Sequence, residues 1–249
     1  MTRWSMLFMS VGAMSFAIGS SACHKRVDPA APETRALPEG RPCPGNVAMI
    51  GDGESANRTS FLEGRGGWWY TYFDIEKQGG STVWPEAGAV GGTFEMTDGG
   101  AAGTGHAARM KGTIGQGEIV FAGMGAGLLD PPGPYDASRY GGIGFWAKKG
   151  PGSTAKVRLK VPDKKTKPEG GMCKGGDCNN DYGADLVLTD SWVFYTVPWR
   201  AMKQIRGWGA EYGGPIDSNA IYEVQFQVDD RTNKNFDIWV DEIQFTGCQ

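Results

Sequence analysis

Gly64–Asp74 reads GRGGWWYTYFD, and the placement of its run of bulky rings decides the fold. Side chains alternate sides along a strand, so Trp69, Thr71 and Phe73 share one face while Trp68, Tyr70, Tyr72 and Asp74 share the other. The second face carries the polar tips. Rings that are apolar in body and polar at the edge suit a surface that is dry behind and meets a hydroxylated partner in front. We expect this strand to have one face in a sandwich core and the other in a shallow open groove. The plainer alternative is that all of these rings fill the core, since aromatic residues are enriched in strands anyway.

Outward from this stretch, the rest of the chain reads as further strands. Tyr140–Lys148 (YGGIGFWAK) puts Ile143, Phe145 and Ala147 on one side and Trp146 with Lys148 on the other. KVRLKV turns Val157, Leu159 and Val161 inward, leaving Lys156, Arg158 and Lys160 opposite. YEVQFQV sets Tyr222, Val224, Phe226 and Val228 against Glu223, Gln225 and Gln227. In the last strand, Phe236–Phe245, the inward set is Phe236, Ile238 and Val240 and then Ile243 and Phe245, so the parity switches near Asp241 and a bulge is expected there. Shorter strands are expected at Val47–Ile50, Gly92–Met96, His106–Gly112, Asp185–Leu188 and Trp192–Trp199, with 79–92 as loop and a loose Gly- and Pro-containing region before Tyr140. Roughly ten strands with one apolar face each predict an all-β fold, a two-sheet antiparallel β-sandwich of jelly-roll type.

Composition agrees. The 249 residues include 40 Gly and 14 Pro, turn residues spread between short apolar runs, which argues for many strands and against a helical bundle. The formal charge of −3 is small, and Lys and Arg form no basic stripe, so nucleic acid is not an expected partner. The chain reads in three parts: a signal segment over 1–22, a Pro-rich tether over 23–44 and the sandwich over 45–249. In the signal, Arg3 supplies the charge, Met6–Ile18 the apolar stretch, and Ser20, Ser21 and Ala22 the small residues before a cut. Cys23, directly after Ala22, resembles the lipidated cysteine of bacterial lipoproteins; ordinary secretion after a small-residue cut is the alternative. An exported, membrane-anchored monomer is therefore expected.

Setting Cys23 aside leaves Cys43, Cys173, Cys178 and Cys248, an even set suited to an oxidising compartment, with three pairings open. Cys173 and Cys178 can bridge within one turn, which leaves Cys43 and Cys248 to join the two edges of the domain. So uneven a spacing does not make a zinc pattern.

Several segments in this order, GDGE (Gly51–Glu54), GRGGWWYTYFD, YGGIGFWAK, KVRLKVPD, CNNDYGADL (Cys178–Leu186), WVFYTVPW, QIRGWG (Gln204–Gly209), IYEVQFQV and FDIWVDEIQF, make everything after the tether resemble the bacterial extracellular domains related to family 11 carbohydrate-binding modules, within the galactose-binding-like jelly rolls. The resemblance implies a β-sandwich with a carbohydrate cleft on its concave face and a structural calcium ion. It points for the calcium to an N-terminal acidic turn meeting the last strand, here Asp52, Glu54 and Asp241. The alternative is that these carboxylates cap turns with no metal. An EF-hand at Asp177–Leu188 is rejected, because Gly183 falls one position late and Leu188 stands where the final glutamate belongs.

Sugar binding needs flat rings to pack on the C–H face of a pyranose and forked polar groups to meet its hydroxyls. Tyr70, Tyr72 and Trp146 are the platform candidates, and Asp74, Arg158, Gln225 and Gln227 the hydrogen-bonding candidates. Asn180, Asp181 and Tyr182 in the cysteine-stapled loop, and Trp208 between two glycines, are the loop candidates. Each has a bland counterpart: a solvated strand surface, a cross-strand ion pair or a turn. Catalysis has little support. The only histidines are His24 and His106, and no HExxH, GxSxG or phosphate-loop pattern occurs. The rival functions are a surface protein-interaction sandwich and, behind it, a glycosidase or lyase.

Overall fold

The computed structural model describes Cys43 and residues 46–77, 79–87 and 94–248. The signal segment, Cys23 and the tether before Cys43 lie outside the described residues. The strands are β1 (Met49–Gly51), β2 (Trp69–Phe73), β3 (Thr82–Trp84), β4 (Thr97–Asp98), β5 (His106–Thr113), β6 (Ala122–Gly127), β7 (Gly142–Lys149), β8 (Lys156–Val161), β9 (Tyr182–Val187), β10 (Val193–Pro198), β11 (Glu223–Val228) and β12 (Asn235–Thr246). They form two antiparallel sheets. The larger runs β10-β7-β12-β5-β3, with β1 on β12 and β4 on β5; the smaller runs β2-β6-β11-β8-β9. This is the sandwich expected from the alternation. No helix among the described residues is long and apolar enough to cross a membrane.

The inner faces meet as the period of two requires. Val157, Leu159, Val161, Val224, Phe226 and Val228 of the smaller sheet are buried against Ile143, Phe145, Ile238, Val240, Ile243 and Phe245 of the larger. Phe145 meets Phe226 edge to face across the layers, ring centroids 4.9 Å apart. In β12 the pairing with β7 shifts between Asp241 and Gln244, and Glu242 adopts φ 45, so the bulge falls where the parity change predicts it. Three expectations need correction. Val47 and Ala48 lie in a 3-10 turn, and the strand begins only at Met49. Phe94–Met96 precede the short β4 outside any strand, while Gly92 and Thr93 lie outside the described residues. β3 and β6 occupy stretches read as loop, because their glycine and proline content hides the alternation.

The outer face of the larger sheet carries an alternating row of rings and cations. Lys148 Nζ lies 4.7 Å from the rings of both Trp192 and Trp239, and the Arg109 guanidinium lies 4.4 Å from Trp239 while pairing with Asp237 at 2.7 Å. Lys111 covers Trp84 in the same way, at 4.7 Å.

Both expected disulfides are present, Cys43–Cys248 and Cys173–Cys178, with Cα atoms 5.5 and 5.1 Å apart. The first spans 205 residues and the second five, so the entropy removed from the unfolded chain differs greatly between them. Replacing Cys43 and Cys248 together by Ser should lower the unfolding free energy by about 2–5 kcal/mol. Urea denaturation checks this, and the corresponding change at Cys173 and Cys178 should have the smaller effect.

Candidate functional site

Three glycines of β6 make a groove in the smaller sheet. Ala122, Met124 and Ala126 point into the core, so Gly123, Gly125 and Gly127 fall on the opposite face. Across the ladders, Gly123 stands between Tyr72 and Gln227, and Gly125 between Tyr70 and Gln225. A Cβ atom at Gly123 would lie 2.4 Å from Tyr72 Cζ, and one at Gly125 would lie 2.5 Å from Tyr70 Cζ. Without those atoms each tyrosine leans across its neighbour strand, the far end of its ring over glycine, and reaches β11.

There the phenols enter one connected polar network. Tyr72 Oη donates to Gln225 Oε1 at 3.2 Å, and Gln225 Nε2 donates to Tyr70 Oη at 3.0 Å and to Glu223 Oε1 at 2.6 Å. Lys167 Nζ donates to Glu223 at 2.6 Å; Lys160 Nζ donates to Gln227 Oε1 at 3.2 Å and pairs with Asp181 at 3.0 Å. The two half-buried rings lie side by side, centroids 6.0 Å apart, over a cavity of about 690 Å³. Desolvation pushes both phenols well above their ordinary pKa, helped by the nearby charges of Glu223 and Asp181, so the rings are neutral donors and acceptors.

Loops close the ends. Asn179, Asn180 and Asp181 follow the Cys173–Cys178 bridge directly and line the groove. Asn180 is buried, donating to Ile205 O and accepting from Ile205 N, both at 2.9 Å, and so fixes the loop that carries Trp208. Gly207 and Gly209 on either side of Trp208 take φ +74 and +55, a turn that leaves the indole 39% exposed at the groove.

Of the candidates read from sequence, Tyr70, Tyr72, Arg158, Asn180, Asp181, Trp208, Gln225 and Gln227 come together here. Three do not. Asp74 falls just past β2 and is buried, accepting from Ser81 N at 3.0 Å, Ser81 Oγ at 2.5 Å and Phe121 N at 3.1 Å, which makes it a cap inside the protein. Trp146 belongs to the other sheet, against Phe194 on the outer face. Tyr182 is a core residue whose hydroxyl donates to Gly213 O at 2.8 Å. Tyr222, read as inward, precedes β11 and turns to the groove wall. The floor residues Gly123, Gly125, Lys160, Lys167 and Glu223 are not among the sequence candidates. Gly123 and Gly125 sit in a segment with small residues on both faces, which masks the strand, and Lys160, Lys167 and Glu223 read as ordinary charged strand and loop residues.

No protein-family model matches the chain, and no curated protein does. Among solved structures, the family 11 carbohydrate-binding module of the cellulosomal cellulase Lic26A-Cel5E of Clostridium thermocellum aligns at a TM-score of 0.55 and 17% identity, over 80% of this chain and 94% of that one. A family 11 module from the same organism, in complex with a β-1,3-1,4-mixed-linked tetrasaccharide, aligns at 0.53 and 19% identity, over 81% and 95%. This chain has the jelly-roll fold of the family 11 modules.

The calcium implied by the family 11 resemblance can be tested against the corner where Asp52, Glu54 and Asp241 sit. Asp52 Oδ1 accepts from Glu54 N at 3.0 Å, and Glu54 accepts from His106 N at 2.7 Å and meets its ring at 3.0 Å. Asp241, buried in the β12 bulge, accepts from Ala101 N and Thr104 Oγ1, both at 2.7 Å, and from Glu242 N at 2.8 Å. These oxygens face protein donors, and among the described residues no group of three or more His, Cys, Asp or Glu side chains is placed to hold a metal ion. In this structure the three carboxylates act as turn caps. Adding Ca²⁺ to EDTA-treated protein decides between the two readings: a rise in melting temperature assigns a metal to this corner, and an unchanged one leaves the carboxylates as caps.

Burial pushes the Asp241 carboxyl up to about 6, against the pull of Thr104, Ala101 N–H and Glu242 N–H. The folded chain then holds this proton more tightly than the unfolded one. Its contribution to stability is present in full below about pH 4 and is lost as pH rises through the folded value. Between those limits wild type should lose up to about 3 kcal/mol relative to Asp241→Asn, measured as the difference between their urea stabilities across pH.

Proposed function

We propose that this chain is a non-catalytic carbohydrate-binding protein that takes an oligo- or polysaccharide into the groove of its smaller sheet. The observation that carries the reading is the pair of half-buried tyrosine rings fixed side by side over Gly123 and Gly125 and lining the groove, with amide groups at their edges. Pyranose rings pack on the phenol faces, while Gln227, Arg158 and Asp181 meet polar groups of the sugar, Asn180 holds the loop behind them, and Trp208 forms one end. Because the network holds the rings in place before ligand arrives, little ordering accompanies binding. Asp181 and Glu223, the carboxylates of the floor, are each bound to a lysine. The same proposal includes export by residues 1–22, a lipid anchor at Cys23 and a monomeric state; two disulfides suit an oxidising compartment.

A polysaccharide pull-down or glycan array on the full chain tests the reading. Tyr70→Ala and Tyr72→Ala should each weaken binding by about tenfold or more, and Gly125→Val should do the same by displacing the Tyr70 ring. Unchanged binding in all three would remove the platform. Capture of no glycan by wild type would favour the rival, a surface protein-interaction sandwich.

A further inference from the structure

The ionic groups of the groove bear on which glycan it accepts. Four cations line it, and every one is engaged. Arg158 pairs with Asp185 at 2.9 Å and donates to Lys203 O at 2.5 Å; Arg231 donates to Gly117 O at 2.7 Å and Glu118 O at 2.5 Å. Lys160 and Lys167 are held by Asp181 and Glu223. Five carboxylates line the same groove, a balance of four against five, or −1. Three of them, the side chains of Glu118, Glu169 and Asp229, are exposed and have neither an ion pair nor a hydrogen bond to another residue among the described residues. The unengaged charge of the groove is therefore all negative.

Two further observations point to a cationic donor. Asp181 is 3% exposed, its Oδ2 meets Lys160, and its Oδ1 has no hydrogen-bond partner. A buried acceptor left in that state costs on the order of 1–3 kcal/mol, which a donor would recover. The faces of Tyr70, Tyr72 and Trp208 also attract cations, and no protein cation lies over any of the three among the described residues. An anionic glycan would meet like charge here, and an N-acetylated one would leave the free carboxylates without a partner.

We propose that the groove selects a glycan bearing free amino groups, a partly or wholly de-N-acetylated amino sugar, with its pyranose rings on Tyr70 and Tyr72 and its ammonium groups paired with Glu169 and Asp229. This rests on the reading of the groove as a carbohydrate site. Calorimetric titration of the full chain with a glucosamine oligomer, its N-acetylated counterpart and a neutral glucan oligomer of equal length separates the two ideas. The amine oligomer should bind about tenfold more tightly than the acetylated one, and the advantage should shrink with added salt and disappear at a pH where the amines are neutral. In Asp229→Asn with Glu169→Gln the ratio of the two affinities should fall toward one. Equal affinity for the amine and acetylated oligomers, or a preference indifferent to salt, would overturn the charge selection and leave the carbohydrate groove standing. Binding to none of the three would overturn both.

Discussion

A single methyl group at Gly123 or Gly125 would push aside the tyrosine ring that lies over it, and the rest of the site follows from its absence. Close packing leaves no room for a side chain that approaches a tyrosine ring to within 2.5 Å. With glycine beneath them, Tyr70 and Tyr72 span the width of β6, so rings from an edge strand and amides from a central strand meet at one place. Glycine also weakens a strand, since it contributes no packing and loses more freedom on folding. β6 offsets this by lying between β2 and β11 and burying Ala122, Met124 and Ala126 in the core.

The polar network then fixes what the glycines permit. A buried lysine or carboxylate is tolerated when it is paired, and removing one partner is far more damaging than never having had the pair. Lys160 with Asp181 therefore ties β8 to the Asn180 turn, and Lys167 with Glu223 ties the loop after β8 to β11. The short disulfide just before that turn, and the bracket that Asn180 makes to the Trp208 loop, extend the same rigidity to the groove's end. Groove residues on loops are held here as firmly as those on strands.

Much of this architecture is legible in sequence wherever one face of a strand is apolar. The inward sets of β7 and β8, and the parity switch at Asp241, follow from a period of two and need nothing else. Tyr70 and Tyr72 are legible for the same reason. Where both faces carry small residues the signal vanishes, and β6, the strand that matters most to the site, reads as loop. Strand ends mislead in another way: Asp74 stands one residue beyond β2, where the chain has already turned and the alternation no longer applies. Trp146 illustrates a third limit, since alternation tells which side of its own strand a residue occupies and is silent on which sheet that strand joins.

The two outward sheet faces are both rich in aromatic residues, yet they differ in what they leave vacant. On the larger sheet Lys148 and Arg109 already occupy the faces of Trp192 and Trp239, and a ring capped by an ammonium or guanidinium has no room on that side for a pyranose. Those indoles serve the cohesion of their own sheet and wear a hydrated, cationic coat. Tyr70 and Tyr72 wear no such coat among the described residues, so their faces stay unclaimed while those of Trp192 and Trp239 are already spoken for.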